Sequence, residues 1–464
     1  MKKILSLLLI AVVVLTSLCL FASCTNDEEN TITPPIINGT PLADFTIVYD
    51  QEGLDYNMRA AEYIREQILT KYNLSLEMID DNEEKKAHEI VVGETSRAIS
   101  ASLNAETEGF EFALVSSEGS IALEGDYFVI AAAAYFFVET YANADGQDLS
   151  IPETACVHTP IVKEAKNYIL LIGDGMGVYQ TLLFDYLEND VEYSDGESFF
   201  YGDMFPYKGF SRTESLSGVT DSAAGGTALA CGIKTYNEYV GLDKDLNPVK
   251  SLTELAFEFG MASGVMSTEV ETGATPSTFF AHADSRNDQG MILRDSIDAQ
   301  RNRGTIIDCG FNYYNTKYMG VIEDHIEETL AGVSSNENGF FLMYEEAHID
   351  KFCHNNNLNG TFDALVRFNQ AIARFMEYAF YNPDTFVLIT ADHETGLLKP
   401  NESGELAYNT EEHSADDVPI FAYGHGAELF DGVTVENIQI AHTIAALMGD
   451  DSFGDQSVYQ SLTK

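Results

Sequence analysis

The sequence has few basic residues and no tryptophan. Its 464 residues contain 25 Lys and Arg against 74 Asp and Glu, a formal net charge of −49. This deficit of positive charge argues against binding to nucleic-acid phosphates and against adsorption to anionic lipid by charge. Apolar residues still make up 45% of the chain. Such a content excludes an acidic disordered chain and predicts a folded protein with an acidic surface.

Cysteines are also scarce, and their spacing excludes some kinds of site. The chain has six cysteines, at positions 19, 24, 156, 231, 309 and 353. No pair has the CxxC spacing, which argues against a cysteine zinc site and against a thioredoxin-type motif. One or two disulfides in an oxidising compartment and buried free thiols both remain open.

The N-terminus has the pattern of a secretory signal. Two lysines precede an apolar run that ends at about Ser23, and Cys24 follows. The end of this run resembles a bacterial lipobox, although Phe21 stands where an aliphatic residue is usual. We expect a signal peptide over residues 1–23 and an exported protein, either secreted or held at the bacterial cell membrane by lipid on Cys24. An uncleaved anchor helix is the alternative, because the run is about long enough to span a bilayer.

The next part of the chain divides into a tether and a small domain. Residues 24–42 are polar and contain two adjacent prolines, which predicts a tether. Residues 43–160 have the pattern of a small α+β domain, with strands at Phe45–Tyr49 and Leu74–Met78 and a hairpin turn at Glu118-Gly119. This pattern resembles the small N-terminal domain that precedes catalytic domains in some bacterial glycoside hydrolases. It has no catalytic constellation, which favours a spacer or docking role.

Residues 161–464 alternate short apolar strands with helical stretches. The strands are predicted at 168–172, 262–266, 340–344 and 385–390, each followed by small, polar or acidic residues. This alternation predicts a three-layer α/β/α sandwich with a mostly parallel central sheet. Because ligand sites in such folds lie beyond the carboxyl ends of the strands, the residues there are the candidates for chemistry.

Acidic and histidine residues follow three of these strands. Asp174 follows the first, between two glycines. Asp350 and His354 are four residues apart, so on a helix they share one face and can bind one divalent ion. Asp392 and His393 follow the fourth strand directly. A lone acid or histidine is usually structural, but three such clusters at strand ends favour a metal site.

Ser222 is the candidate nucleophile. Small residues and then helix formers follow it, which predicts a helix that begins at Ser222. A helix N-terminus offers free N–H groups and the positive end of the dipole to a phosphate. Serine needs a base or a metal to activate it, and no histidine is near in sequence, so a metal is the natural activator. Simple N-capping of the helix is the alternative for this motif.

Together these motifs, from about Asn167 to residue 450, resemble those of the alkaline phosphatase family in their order. The resemblance implies two zinc ions and one magnesium ion. The implied ligands are Asp350, His354 and His413 for the first zinc, Asp174, Asp392, His393 and Ser222 for the second, and Asp174, Thr275 and Glu345 for the magnesium. It further implies that Arg286 clamps the phosphate and is oriented by Asp221, and that Lys351 contacts the phosphate through water.

The implied reaction is the hydrolysis of small phosphate monoesters through a phosphoserine intermediate. The chain departs from the family at Gly273, two residues before Thr275, where many members carry Asp or His. We therefore expect the affinity and water structure of the magnesium site to differ from the family pattern. A phosphodiesterase or sulfatase of the same fold and a non-catalytic surface-binding protein are the alternatives, although the chain lacks the Cys/Ser-x-Pro-x-Arg sulfatase signature. A homodimer remains open.

Overall fold

The computed structural model describes residues 32–103, 105–184, 199–311 and 320–455. The expected signal peptide and Cys24 lie outside these residues, so both stay predictions. Within the described ranges, no helix is both long enough and apolar enough to cross a membrane.

The N-terminal part of the described chain forms two sheets and two α-helices. The strands are β1 (Ile36–Ile37), β2 (Thr40–Pro41), β3 (Thr46–Tyr49), β4 (Met78–Asp80), β5 (Glu89–Val92), β6 (Phe112–Ser117), β7 (Ser120–Glu124), β8 (Asp148–Leu149) and β9 (Cys156–His158). Six of them pair in the order β4-β3-β5-β7-β6-β9, and β2-β1-β8 form a small separate sheet. The helices are α1 (Asp55–Tyr72) and α2 (Ile130–Phe137).

The predicted hairpin is present, but two boundaries differ from expectation. Glu118 and Gly119 both have positive φ, 50° and 82°, as a two-residue turn between β6 and β7 requires. The strand expected over Leu74–Met78 begins only at Met78, since the apolar residues before it pack on the core without pairing. The C-terminal end of the expected tether is folded, because Ile37 and Leu42 are completely buried.

The rest of the chain is built around one larger sheet. Its strands are β10 (Asn167–Gly173), β11 (Tyr207–Arg212), β12 (Ala262–Ser267), β13 (Ile306–Cys309), β14 (Phe340–Glu346), β15 (Thr385–Thr390), β20 (Val418–Tyr423) and β21 (Thr434–Glu436). They pair in the order β13-β12-β14-β10-β15-β20-β11-β21. Only the two pairings of β20 are antiparallel. Four two-residue strands follow β15: β16 (Glu394–Thr395), β17 (Lys399–Pro400), β18 (Leu406–Ala407) and β19 (His413–Ser414).

Helices cover both faces of this sheet. They are α3 (Val178–Thr181), α4 (Ser222–Cys231), α5 (Leu252–Glu258), α6 (Ala274–Ser277), α7 (Gln289–Asp298), α8 (Gly320–Val333), α9 (His348–His354), α10 (Leu358–Tyr381) and α11 (Ile438–Met448). Alternate residues of β10 enter opposite cores: Ile169 and Leu171 pack with α10, whereas Leu170 and Ile172 pack with α4 and α11. The predicted α/β/α sandwich with a mostly parallel sheet is therefore confirmed.

The N-terminal unit packs against the sandwich through α10. Their apolar residues share one core, in which the rings of Phe110 and Phe380 are 5.2 Å apart. Arg59 of α1 donates to Glu377 of α10 at 2.9 Å, and Arg374 donates to the same carboxylate at 3.1 Å. Glu377 and Arg374 are each 5% exposed, so their ion pair is removed from water, whereas Arg59 is 30% exposed. The two units are thus joined by apolar contact and by a buried carboxylate that two guanidinium groups share.

Replacing Glu377 by alanine is expected to destabilise the junction between the two units. Two guanidinium groups would lose their shared buried partner, but Arg374 keeps Glu323 and Arg59 keeps Glu327, so the cost should be about 2 kcal/mol. Urea unfolding followed by tryptic digestion at intermediate urea measures the change. Glu327→Ala is the matched control, because Glu327 contacts the same Arg59 at 2.8 Å but is half exposed, and its loss should cost under about 1 kcal/mol. Equal effects of the two substitutions would contradict the assignment of Glu377 as the central carboxylate.

Candidate functional site

The carboxyl ends of β10, β14 and β15 meet at one edge of the sheet. The parallel register places Ile172 of β10 beside Glu345 of β14 and beside Thr390 of β15. Asp174 and Asp392 follow directly after these strands, so the three acids come together although they are far apart in sequence. This convergence is what the strand-end pattern predicted.

The first acid–histidine group consists of Asp350, His354 and His413. One ligand atom from each residue lies within 4.8 Å of the others, as one bound ion requires. Nε2 of His354 is 3.3 Å and Nε2 of His413 is 3.5 Å from Oδ1 of Asp350. Asp350 and His354 share one face of α9, as predicted. His413 reaches them because β19 pairs antiparallel with β16, which immediately follows the Asp392-His393 strand end.

The second group consists of Asp174, Asp392 and His393, all buried. Nε2 of His393 lies 3.4 Å from Oδ1 of Asp174 and 3.3 Å from Oδ2 of Asp392. Ser222 is adjacent, with its Oγ 3.2 Å from the same Nε2. The imidazole rings of His393 and His413 stack at 3.6 Å, so the two groups are neighbours. The structure thus brings together all six proposed acid and histidine zinc ligands and the candidate nucleophile.

Each of the three histidines is oriented by a contact of its other ring nitrogen. Nδ1 of His413 contacts the carbonyl oxygen of Thr220 at 2.8 Å, and Nδ1 of His354 contacts the carbonyl oxygen of Glu411. Nδ1 of His393 contacts the hydroxyl of Thr395 at 3.1 Å, and that hydroxyl donates to Asp350 at 2.6 Å. Such contacts fix the tautomer that leaves Nε2 available to a metal. Sequence reasoning missed Thr395, which links the two groups.

The electrostatics of the carboxylates indicate a need for cations. Burial and the charge of Asp350 raise the pKa of Asp392 to about 7. Burial, with Glu269 and Asp392 nearby, raises the pKa of Glu345 to about 8. Burial likewise raises the pKa of Asp174 well above its usual value, and its Oδ1 has no hydrogen-bond donor among the described residues. Burial lowers the pKa of His393, which keeps its ring neutral and able to bind a metal.

The metal-free protein is expected to lose stability as the pH rises. A carboxyl group whose pKa is raised on folding stabilises the protein fully below its unfolded pKa, and this contribution is lost as the pH rises through the folded value. That loss should run through about pH 7 for Asp392 and about pH 8 for Glu345. Zinc favours the ionised groups, so the stabilisation by zinc should grow between about pH 5 and about pH 9. Thermal unfolding with chelator and with zinc measures both trends; a zinc effect independent of pH would contradict this prediction.

The remaining oxygen ligands predicted for magnesium lie beside the second group. The hydroxyl of Thr275 is 3.5 Å from Oδ2 of Asp392. Glu345 accepts a hydrogen bond from Ser267 at the end of β12. Lys351, predicted to contact phosphate through water, pairs with Glu269 at 2.7 Å. Sequence reasoning missed Ser267 and Glu269. Both are polar residues that follow the apolar part of β12, and this strand-end position could have indicated them.

The helix that begins at Ser222 presents its N-terminus to this site, as predicted. Asp221 caps it by accepting from the N–H of Ala224 at 2.9 Å. The other oxygen of Asp221 accepts from Nη1 of Arg286 at 3.3 Å, so the arginine is held beside Ser222. Gly225 allows the close approach, since a Cβ there would lie 2.8 Å from the carbonyl oxygen of Asp392. N-capping and a catalytic role for this motif are therefore compatible, because Asp221 makes the cap and Ser222 faces the histidine.

Other polar residues in the same motifs have structural partners. Glu346 lies 3.5 Å from Arg367 and 3.3 Å from Nδ1 of His348. The described cysteines are free thiols, of which Cys231 and Cys353 are buried. Of the two alternatives that the cysteine spacing left open, the structure therefore has the free thiols.

The comparisons with known proteins agree with this geometry. The family model named alkaline phosphatase matches residues 165–309 and 314–401, which is half of the chain. The match begins just before β10 and includes Ser222, Arg286 and the ligand candidates up to His393, whereas His413 lies beyond it. This chain belongs to the alkaline phosphatase family.

Individual relatives show how far the similarity extends. Alkaline phosphatase 3 of Bacillus subtilis is 29% identical over 289 residues, which are 50% of this chain and 62% of that protein. The alkaline phosphatase of Escherichia coli K12 is 24% identical over 414 residues, 62% of this chain and 87% of the relative. The structure of alkaline phosphatase from the Antarctic bacterium TAB5 has a TM-score of 0.53 at 28% identity and covers 63% of this chain and 100% of its own.

Proposed function

We propose that this protein hydrolyses phosphate monoesters to an alcohol and inorganic phosphate. One observation carries the proposal: two acid–histidine groups meet at the N-terminus of α4, where Oγ of Ser222 lies 3.2 Å from Nε2 of His393. Membership of the alkaline phosphatase family supports the same reaction. The similarity to Bacillus subtilis alkaline phosphatase 3 spans under two thirds of that relative, so the activity of the whole protein is inferred from its own site.

The residues fit two zinc ions and one magnesium ion. Zinc binds imidazole nitrogen and carboxylate oxygen, which are the ligand atoms that the first and second acid–histidine groups offer. Magnesium prefers oxygen ligands and keeps several waters, which suits Asp174, Thr275 and Glu345. The buried Oδ1 of Asp174 has no hydrogen-bond donor among the described residues and lies 3.4 Å from Nε2 of His393, which supports a cation at the second group. A solved variant of the TAB5 enzyme is named as having Mg bound in its M3 site.

The protein's own side chains account for the bond changes. Bound metals would lower the pKa of the serine hydroxyl and stabilise charge on the entering and leaving oxygens. Oγ of Ser222 attacks phosphorus; the Oγ–P bond forms, the ester P–O bond breaks, and the alcohol leaves with a proton. Water then attacks the phosphoserine, which releases phosphate and restores the hydroxyl. Arg286, held by Asp221, donates two hydrogen bonds to the phosphoryl oxygens, a geometry that lysine does not provide.

Turnover of three chromogenic substrates tests this function. p-Nitrophenyl phosphate, bis-p-nitrophenyl phosphate and p-nitrophenyl sulfate are compared at alkaline pH, with chelator and with zinc and magnesium restored. We expect the monoester to be the preferred substrate, chelator to abolish turnover, and the metals to restore it. Preference for the diester or the sulfate would assign a related hydrolase activity. No turnover of any substrate with metals present would favour a non-catalytic binding protein.

We also propose that the protein is exported and anchored by lipid on Cys24. The basic start, the apolar run and the lipobox-like end at Cys24 support this proposal. Incorporation of labelled palmitate in a bacterial host measures it, with Cys24→Ala as the control. Palmitate incorporation that persists in Cys24→Ala, or that is absent from the wild-type protein, would contradict the lipid anchor.

A further inference from the structure

Gly273 has no conformational need to be glycine. Its φ of −59° and ψ of 154° suit any residue. What excludes a side chain is the space around it, since a Cβ would lie 2.4 Å from Cγ and 3.2 Å from Cδ of Glu269. The side chain of Glu269 therefore occupies the volume that a residue at position 273 would use.

In this position Glu269 contacts Lys351 directly and Glu345 through Ser267. Its carboxylate lies 2.7 Å from Nζ of Lys351 on α9. Its backbone N–H donates at 2.8 Å to the hydroxyl of Ser267, and that hydroxyl donates to Glu345. Glu269 is 28% exposed, so water can reach its carboxylate. One short strand-end loop thus supplies groups that contact Glu345 and Lys351.

We propose that Glu269 is the additional acidic group of the magnesium site, supplied from the β12 loop in the space that Gly273 leaves. It attracts the cation by charge and by accepting hydrogen bonds from the waters that magnesium retains. The same carboxylate pairs with Lys351, the residue predicted to contact the phosphate through water. The proposal rests on the proposed function, because it takes the magnesium site of that function as given. Glu269 is a positioning residue, since it acts through bound water and through Lys351.

Magnesium binding to the zinc-loaded protein tests this role without measuring turnover. Calorimetric titration compares the wild-type protein with Glu269→Gln, which keeps the shape of the side chain and removes its charge. We expect the Kd for Mg²⁺ to rise by about 10-fold to 100-fold. Glu271→Gln is the matched control: it removes an equal charge from the same loop, where Glu271 accepts from Ser296 at 2.7 Å. An unchanged Kd in Glu269→Gln, or an equal rise in both variants, would overturn the proposal.

A second test moves the carboxylate from position 269 to position 273. If the role of Glu269 were purely structural, this move would not restore Mg²⁺ binding. Glu269→Ala should weaken Mg²⁺ binding, and adding Gly273→Asp to it should restore most of the affinity. The clash with the Glu269 side chain is then removed, and only the carbonyl oxygen of Val270, 3.0 Å from the new Cβ, has to shift slightly. Gly273→Asp alone should lower the unfolding temperature, since its Cβ meets Glu269 at 2.4 Å. A double variant that binds Mg²⁺ no better than Glu269→Ala would contradict the proposal. Failure of the proposed function is seen separately, as a wild-type protein with bound metals that does not hydrolyse the monoester.

Discussion

Ser222→Ala is expected to lower kcat for p-nitrophenyl phosphate by about 10³-fold or more, with both zinc ions still bound. The substitution removes Oγ of Ser222, the oxygen that would bond to phosphorus in the phosphoserine. The three acid and histidine residues of each metal group are untouched, so metal content should change little. Steady-state kinetics with metal analysis of the same sample measures both quantities. Activity close to that of the wild-type protein would show that water attacks the ester directly.

Ser263→Ala is the matched control for this substitution. Ser263 is also a buried serine, and its hydroxyl pairs with that of Thr305 at 2.9 Å near the start of β12, at the opposite end of the strand from the site. Loss of that hydrogen bond should lower stability by about 1 kcal/mol without changing kcat. A comparable loss of activity in both variants would indicate a general effect on folding and not a nucleophile.

Asp392→Asn is expected to release one zinc ion and to lower kcat by more than about 10²-fold. Asparagine keeps the acceptor that the N–H groups of Gly175 and His393 use, at 3.3 and 3.1 Å, but it removes the charge that the cation needs. The fold should therefore survive while the metal is lost. Metal analysis after dialysis gives the zinc content per chain. Full zinc content in Asp392→Asn would contradict the assignment of the second group.

His413→Asn provides the reciprocal measurement. It should release the ion of the first group and retain the ion of the second, because His413 is grouped with Asp350 and His354. Asp431→Asn, at an exposed position, is the matched control for Asp392→Asn, because it also replaces one carboxylate by an amide. If His413→Asn released both ions, the two groups would form one cooperative site.

The sequence allowed prediction of those site residues whose placement depends on local pattern. Asp174 and Asp392 directly follow apolar strands, and parallel strands end at one edge, so their convergence follows from the order of the elements. Asp350 and His354 share a helix face because they are four residues apart. The helix start at Ser222 follows from the small residues after it. These features need no knowledge of distant contacts.

Other features depend on contacts that no local pattern encodes, and of these His413 was predicted only through the family resemblance. His413 reaches its group through the pairing of β16 with β19, two strands of only two residues each. The hydroxyl of Thr395 links the two groups by contacting Asp350 and His393, and no sequence motif marks this threonine. Glu269 occupies its present position only because Gly273, four residues later, lacks a side chain. The fold of Ile36–Leu42 likewise depends on burial of apolar residues in a stretch whose prolines and polar residues indicated a tether.

Trapping the phosphorylated protein is the direct test of a phosphoserine at Ser222. The zinc-loaded protein is mixed with a phosphate monoester, quenched in acid during turnover, digested and analysed by mass spectrometry. We expect one phosphoryl group on the peptide that contains Ser222, present only when zinc is bound and absent from Ser222→Ala. Turnover without phosphorylated peptide under the same quench, or a phosphoryl group on a different residue, would contradict this expectation.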